Sequence, residues 1–363
     1  MGAAGFAGEA PPPLADGPVR NVVLIVGDGM GLAQVAAARL RVLGPEGRFV
    51  FERYPVVGLV DTRPAGGLIT KSDAGATALA TGVKTVNGRV GEDPEGRALP
   101  TLIERSRDAG LATGMVTTSS IVDATPASFS AHAGRYEYER IAGQIAAAGI
   151  DLLAGGGRER VAPDGLDRGP LAAAAARGVA VVTDLEGFTA ASRLPLWAVF
   201  PGTTLGESPA HPDVAELAAK ALELLGAEAR RRNTGFFLLV EEEGADTGGH
   251  ERDLERTSAG VARLDRAVAV ATRFAAADGG TLVLVTADHG TGGLSIDSTS
   301  TRERLRVVWA SGHHSGEPVP LYAYGPAAAA QRFGGVYDNT EIHDRIAEAL
   351  ALPTPATSTE AVP

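Results

Sequence analysis

Cysteine is missing from the chain altogether, which excludes disulfides, thiolate nucleophiles and sulfur-ligated metals. Lysine is nearly missing: Lys71, Lys84 and Lys220 are the only three, so Arg supplies almost all of the 33 basic residues. Against these stand 44 Asp and Glu, for a formal net charge of -11. Such a balance repels a phosphate backbone and argues against a general nucleic-acid or membrane-surface binder. A small anionic substrate stays possible, because local cations or metals override diffuse charge. No apolar run approaches the roughly 20 residues that a membrane-spanning helix needs. The opening MGAAGFAGEAPPPLADGPVR lacks the basic and apolar regions of an intact secretory signal. Residues 1–20 are therefore expected to form a flexible leader and residues 353–363 a flexible tail around a folded domain spanning 21–352.

With 363 residues and 44% hydrophobic content, the chain can bury a large core. Length alone suggests two domains, but no linker or internal repeat divides it, and a single α/β domain is expected. Apolar, β-branched runs predict strands over Asn21–Gly27, Leu111–Thr117, Phe236–Val240, Thr281–Thr286 and Val319–Tyr324. Between them, helical patterns run near Leu32–Leu43, Tyr138–Ala148, Val214–Arg231 and Leu254–Ala277. Strands that are apolar throughout, alternating with amphipathic helices, indicate a mostly parallel sheet covered on both faces. The Gly-, Arg- or Ser-rich stretches 155–170 and 291–304 read as surface loops.

Ligands in open parallel sheets sit at the carboxyl ends of the strands. Three of the predicted strands run into polar residues there: into Asp28, into Glu241, and into Asp288-His289. Taken singly, each has a plain structural reading, such as a helix cap for Asp28 or Asp288. Together they indicate one shared site. Asp246 and His250, four apart in DTGGH with two glycines between, can converge on one cation, and their oxygen and nitrogen donors suit Zn²⁺. Glu242 and Glu243 read as solvent-facing charge. His313 and His314 lie in the Gly-flanked segment GHHSG. Ser72, in TKSDAGAT, is placed near a helix N-terminus, where free N–H groups favour an anion, although a serine there is more commonly a simple cap. Asp123 and Thr125 offer hard oxygen ligands that suit Mg²⁺, and Arg135 offers a planar fork for two phosphate oxygens.

In this order, VLIVGDGMG, SDAGATALATGVKT, VDATPASFSAH, FFLLVEEEGADTGGH, LVTADHGTGGL and GHHSGEPVPLYAYGP resemble the alkaline phosphatases over about residues 21–352. The resemblance implies two Zn²⁺ and one Mg²⁺. Asp246, His250 and His314 would hold the first zinc. Asp28, Asp288 and His289 would hold the second, which Ser72 joins as the nucleophile. Asp28 would bridge to magnesium, with Thr125, Glu241 and Asp123 in or near its shell. The family's H-[TS]-G pattern selects His314 over His313, Arg135 matches the phosphate-clamping arginine, and His132 reads as structural. It further implies hydrolysis of small phosphate monoesters through a phosphoseryl intermediate, with broad specificity and an alkaline optimum, in the periplasm or outside the cell. The connection from Gly290 to His313 is too short for the family's large crown insertion, so a homodimer would have to form without one.

Departures surround the nucleophile. Lys71 and Asp73 stand where the family usually has Asp and a small residue, leaving Arg135 to be oriented by Asp73 or by phosphate itself. Asp73 is expected to turn away from the site or pair with Lys71 or Arg135. Thr247 stands where some members have Lys or Trp. Two other readings stay open: a sister hydrolase such as a phosphodiesterase, and a phosphate- and metal-binding relative impaired in catalysis.

Overall fold

The computed structural model describes residues 10–162, 165–208 and 211–354. A ten-stranded sheet runs through it. In chain order its strands are β1 (Asn21–Gly27), β2 (Val56–Asp61), β3 (Ala112–Ser120), β4 (Leu152–Gly156), β5 (Ala180–Val182), β6 (Leu196–Val199), β7 (Phe236–Glu242), β8 (Thr281–Thr286), β9 (Val319–Tyr324) and β10 (Gly335–Asp338). Their spatial order is β10-β2-β9-β8-β1-β7-β3-β4-β6-β5. All pairings are parallel except those of β9 with β8 and β2, so β9 alone runs against the rest. That reversal matters for the site: the segment entering β9 lies at the edge where the other strands end.

The central strands are continuously apolar because helices cover both faces. Every residue of β1, β3, β7 and β8 is buried, as parallel strands between two helix layers must be. Helices α1 (Leu32–Val42), α2 (Ser72–Thr81), α3 (Ala124–Ser130), α4 (Val214–Arg232), α5 (Gly244–Glu251), α6 (Leu254–Asp278) and α7 (Thr340–Ala349) include those that frame the site. The long helix α6 packs on α1, α4 and α5, while α2 packs on α3 and α7. The five strands and four helices expected from the pattern are present, with ends shifted by three residues at most.

Two expectations need correction. Residues 155–170 are not simply a loop, because Gly155 and Gly156 complete β4 inside the sheet. A Cβ on Gly156 would stand 2.5 Å from the Gly202 carbonyl oxygen, so glycine there allows close backbone packing rather than marking a surface turn. Likewise, 291–304 contains the strand Leu294–Ile296, which pairs with Val307–Trp309 in a short antiparallel ribbon. Of the expected leader, residues 1–9 lie outside the described residues, and the rest lies on the domain: Tyr324 donates its hydroxyl to the Pro12 carbonyl, and Leu14 bridges Pro326. In the expected tail, 355–363 lie outside the described residues. No helix among the described residues is long and apolar enough to cross a membrane.

The ring of Phe237 on β7 is fully buried and stacks on Phe129 of α3, centroids 6.2 Å apart. Phe237→Ala should cost about 3–5 kcal/mol in denaturant unfolding; a loss well under half of that would mean that α3 is not held to the sheet through this ring.

Candidate active site

One row of the sheet sets the floor of the site. Glu241 on β7 stands opposite Val26 of β1 and Thr117 of β3, and Val26 stands opposite Thr286 of β8. Just past this row the chain delivers Asp28 from β1 and Asp288-His289 from β8. Asp28 is not a helix cap, since Gly31 occupies that position in α1. Gly29 makes the turn possible: its φ is +65°, and a Cβ would stand 2.7 Å from the Asp246 Cα.

Asp28, Asp288 and His289 converge. His289 Nε2 lies 3.3 Å from Asp288 Oδ2 and 3.5 Å from Asp28 Oδ1. Ser72, the first residue of α2, places its Oγ 3.1 Å from the same Nε2. Its plain reading as a cap fails, because Lys71 is the N-cap of α2 and makes no side-chain cap bond.

A second trio lies alongside. His250 Nε2 is 3.2 Å from Asp246 Oδ2 and 3.2 Å from His314 Nε2, and His314 Nε2 is 3.7 Å from Asp246 Oδ1. Both histidines are oriented from behind by backbone carbonyls: His250 Nδ1 donates to Gly312 O at 2.8 Å and His314 Nδ1 to Thr70 O at 2.9 Å. With Nδ1 held by a carbonyl, each ring turns its Nε2 inward, the orientation a metal-binding imidazole needs; the hydrogen bond to Asp246 raises the His250 pKa to about 9, so a metal ion would displace a proton there. His313 is exposed and stays out of this trio. The antiparallel direction of β9 is what carries His314 to this edge.

The electrostatics are those of a site short of positive charge. Burial pushes the carboxyls of Asp28 and Asp288 well above the usual range, and neighbouring carboxylates push them further. Burial also raises Glu241, to about 7, although Thr117 and Ser119 donate to its Oε2. Asp246 is the exception: hydrogen bonding to His250 and the nearby histidines outweigh burial and bring it down to about 2. His289 is pushed down to about 3, by burial first. Asp28 Oδ1 and Asp288 Oδ2 are shut off from solvent without a hydrogen-bond partner. Thr125 Oγ1 is buried beside Glu241 and helps hold its carboxyl down, without a hydrogen bond of full geometry. Buried, like-charged oxygens with free lone pairs fit divalent cations.

Arg135 stands at the wall of this cleft with 12% of its side chain exposed, paired through Nη2 with Asp123 Oδ1. This corrects the expectation that Asp73 or phosphate alone would hold it. Asp73 has turned away, its Oδ1 accepting from the N–H groups of Ala74 at 2.8 Å and Gly88 at 3.0 Å. Asp123 caps α3 with the same Oδ1 that receives the arginine. Lys71 reaches the cleft lining from its exposed position.

Comparison with known proteins agrees with this fold. The alkaline phosphatase family profile matches residues 19–178, 200–303 and 295–352. The chain belongs to the alkaline phosphatase family. It is 36% identical to streptomycin-6-phosphate phosphatase of Streptomyces griseus, over 92% of this chain and 91% of that protein. It is 31% identical to alkaline phosphatase of Escherichia coli, over 93% and 88%. Among solved structures, alkaline phosphatase from the Antarctic bacterium TAB5 superposes with a TM-score of 0.85 at 30% identity, covering 93% of this chain and 100% of that one. The alkaline phosphatase of Thermus thermophilus gives 0.84 at 25% identity, covering 98% and 96%.

Three contributors were not visible as such in the sequence. Thr291 Oγ1 donates to Asp246 and sits 3.3 Å from His289 Nδ1, bracing both trios. Thr117 and Ser119 hold Glu241. Glu242 and Glu243, read as solvent-facing, are not: Glu242 is 1% exposed and paired with Arg263 of α6 at 2.7 Å, and Glu243 lines the cleft. β7 runs two residues further than expected, so its alternation sends Glu242 to the helix layer and Glu241 to the opposite face, while Glu243 follows the strand with helical backbone as the N-cap of α5.

His132 is structural, as expected. Its Nδ1 contacts Gly91 O at 2.7 Å and its Nε2 contacts Glu104 Oε1 at 3.0 Å. Burial lowers its pKa, but Glu104, Gly91 O and Glu92 more than offset this, so it ends above 6.5. Glu104 is raised by burial, yet His132, the Thr101 N–H and Arg107 bring it below 4.5. The histidine's contribution is full below its unfolded pKa and fades as pH rises through the raised folded value. The glutamate's is present above its unfolded pKa and fades as pH falls. His132→Asn should therefore destabilise most between pH 4.5 and 6.5 and progressively less at alkaline pH in denaturant titrations; a penalty that grew with pH would contradict this pairing.

Proposed function

We propose that the protein hydrolyses small phosphate monoesters, with Ser72 as nucleophile and a phosphoseryl intermediate. The observation that carries the reading is the position of Ser72 Oγ, 3.1 Å from His289 Nε2 and beside a second set of inward-facing donors. Asp246, His250 and His314 would hold one zinc and Asp28, Asp288 and His289 the other. Thr125 and Glu241, with Asp28 as bridge and Asp123 nearby, would hold magnesium. When bound, these ions supply positive charge that favours ionised oxygen nucleophiles at moderate pH and screens phosphoryl oxygens. A variant of the TAB5 enzyme has been solved with Mg bound, at 27% identity and a TM-score of 0.81.

The chain's own part follows from its geometry. Ser72 presents its oxygen at the N-terminus of a ten-residue helix, where free N–H groups favour the incoming phosphate. Its Oγ bonds to phosphorus as the alcohol leaves, and water then cleaves the Ser72–phosphate bond to release inorganic phosphate. Arg135, held by Asp123, turns its other, unpartnered Nη1 to the phosphoryl oxygens. A monoester rather than a diester reading is supported by this arginine, which matches the charge of a dianion, and by the Streptomyces griseus relative, named for a phosphomonoester. Family likeness favours action in the periplasm or outside the cell.

The first test is phosphate release from an aryl phosphate monoester at alkaline pH, with Zn²⁺ and Mg²⁺ and after chelation. Turnover should be abolished by the chelator, restored by the metals, and well above that of the matching diester; the reverse preference would move the protein to a sister activity. Ser72→Ala should lower kcat by at least about 10³-fold, and retention of most activity would eliminate the phosphoseryl route. His314→Ala should remove zinc from the first site, whereas His313→Ala should leave zinc content unchanged; equal losses by metal analysis would reject the assignment of His314.

A further inference from the structure

Glu243 lines the cleft, and neither the family resemblance nor the comparisons assign it a role. It follows β7 directly and caps α5 through its backbone, with its N–H donating to Thr118 Oγ1 at 3.0 Å and its carbonyl accepting from Asp246 and Thr247. Its side chain lines the same wall as Ser119, Asp123 and Glu241. One of its oxygens, Oε2, is shut off from solvent with no hydrogen-bond partner. The charged groups acting on it most strongly are all carboxylates: Asp123, Glu241, Asp246 and Glu242. Glu242 has its own cation in Arg263. Glu243 has no ion pair among the described residues.

The neighbouring oxygens point the same way. Thr125 Oγ1 is fully buried beside Glu241, without a hydrogen bond of full geometry. Asp123, expected in or near this shell, has committed Oδ1 to the Ala124 N–H and to Arg135. The buried oxygens here without a full hydrogen bond are Glu243 Oε2 and Thr125 Oγ1, beside Glu241 and with Asp28 Oδ1 adjoining, and no nitrogen ligand is among them. An all-oxygen set of this kind suits a hard divalent cation such as Mg²⁺ and not zinc.

We infer that Glu243 supplies a carboxylate oxygen to the cation site built on Glu241 and Thr125, in the place that Asp123 has given up to Arg135. This rests on the metal-site reading proposed above and adds to it a ligand particular to this chain. Glu243 is thus part of the metal site, while Asp123 positions the arginine.

The experiment titrates Mn²⁺ into protein stripped by chelator and reloaded with two equivalents of Zn²⁺, with binding read by electron paramagnetic resonance of free Mn²⁺. The wild-type protein should take up one Mn²⁺, and excess Mg²⁺ should displace it. Glu243→Gln, nearly isosteric, should weaken this binding by about 10- to 100-fold while leaving zinc content at two equivalents. Glu243→Asp, which keeps the charge, should recover part of the loss, and Asp123→Asn should weaken Mn²⁺ binding less than Glu243→Gln does. Mn²⁺ affinity unchanged in Glu243→Gln would overturn the inference and leave the wider reading intact. Failure of the wild-type protein to bind any Mn²⁺ beside its zinc would overturn the third-cation reading itself. Should Glu243→Gln prove unfolded by circular dichroism, Glu243→Asp decides: affinity unchanged or abolished with zinc retained counts against or for the carboxylate's reach to the ion, respectively.

Discussion

Oxygen atoms of like charge, buried together, are the constraint on which this site depends. Asp28, Asp288, Glu241 and Glu243 press against one another at the end of a sheet that offers them almost no positive side chain. Asp28 Oδ1, Asp288 Oδ2 and Glu243 Oε2 lack even a hydrogen-bond partner. Leaving such groups uncompensated costs several kcal/mol per ion. Either they hold protons, as the upward displacement of their pKa values expresses for the bare chain, or they hold cations. The inward-facing Nε2 atoms of His250 and His314, 3.2 Å apart with both Nδ1 atoms held by backbone carbonyls, bring nitrogen donors to the same edge beside Asp246. The fold thus keeps a place for positive charge that the chain does not itself fill.

The architecture serves that constraint. Parallel strands bring their carboxyl ends to one edge, so Asp28, Glu241 and Asp288-His289 meet although they are far apart in sequence. A wholly parallel sheet would leave the His314 segment at the wrong edge or require another crossover. The single reversed strand solves this by starting where its neighbours finish. Small residues then close the distance: α2 is buried along almost its whole length, which seats Ser72 against His289.

Much of this was legible in the sequence, and the failures have physical causes. The central strands are buried on both sides, so they read as unbroken apolar runs, and β1, β8 and β9 fall where the pattern puts them. The short outer strands β4, β5, β6 and β10 carry weaker signals, and the glycines that end β4 look like loop residues although they serve close packing. The residues of the two trios were recognisable through their motifs. Their supports were not: Thr117, Ser119 and Thr291 are ordinary strand or loop residues whose roles depend on which distant oxygen they meet. Glu242 and Glu243 were misread for one reason, the assumption that a strand stops where its apolar residues stop. Alternation from Glu241 to Glu242 was the available signal for Glu242, and it requires that β7 continue into its acids; Glu243 lies past the strand, at the start of α5.

The residues flanking the nucleophile bring these points together. An aspartate beside Ser72 would normally orient the arginine, and here Lys71 occupies that place. Asp73, on the other side of the serine, makes no ion pair with the arginine among the described residues; its Oδ1 accepts from the N–H groups of Ala74 and Gly88. The arginine turns instead to Asp123, which caps α3 and is therefore fixed by backbone geometry before any ligand arrives. A carboxylate engaged by a guanidinium is a poorer ligand for a cation beside it, since its negative charge is already shared. The change at position 71 is thus felt two steps away, at the oxygen wall formed by Thr125, Glu241 and Glu243. On that wall Glu243 offers a carboxyl that has no ion-pair partner among the described residues.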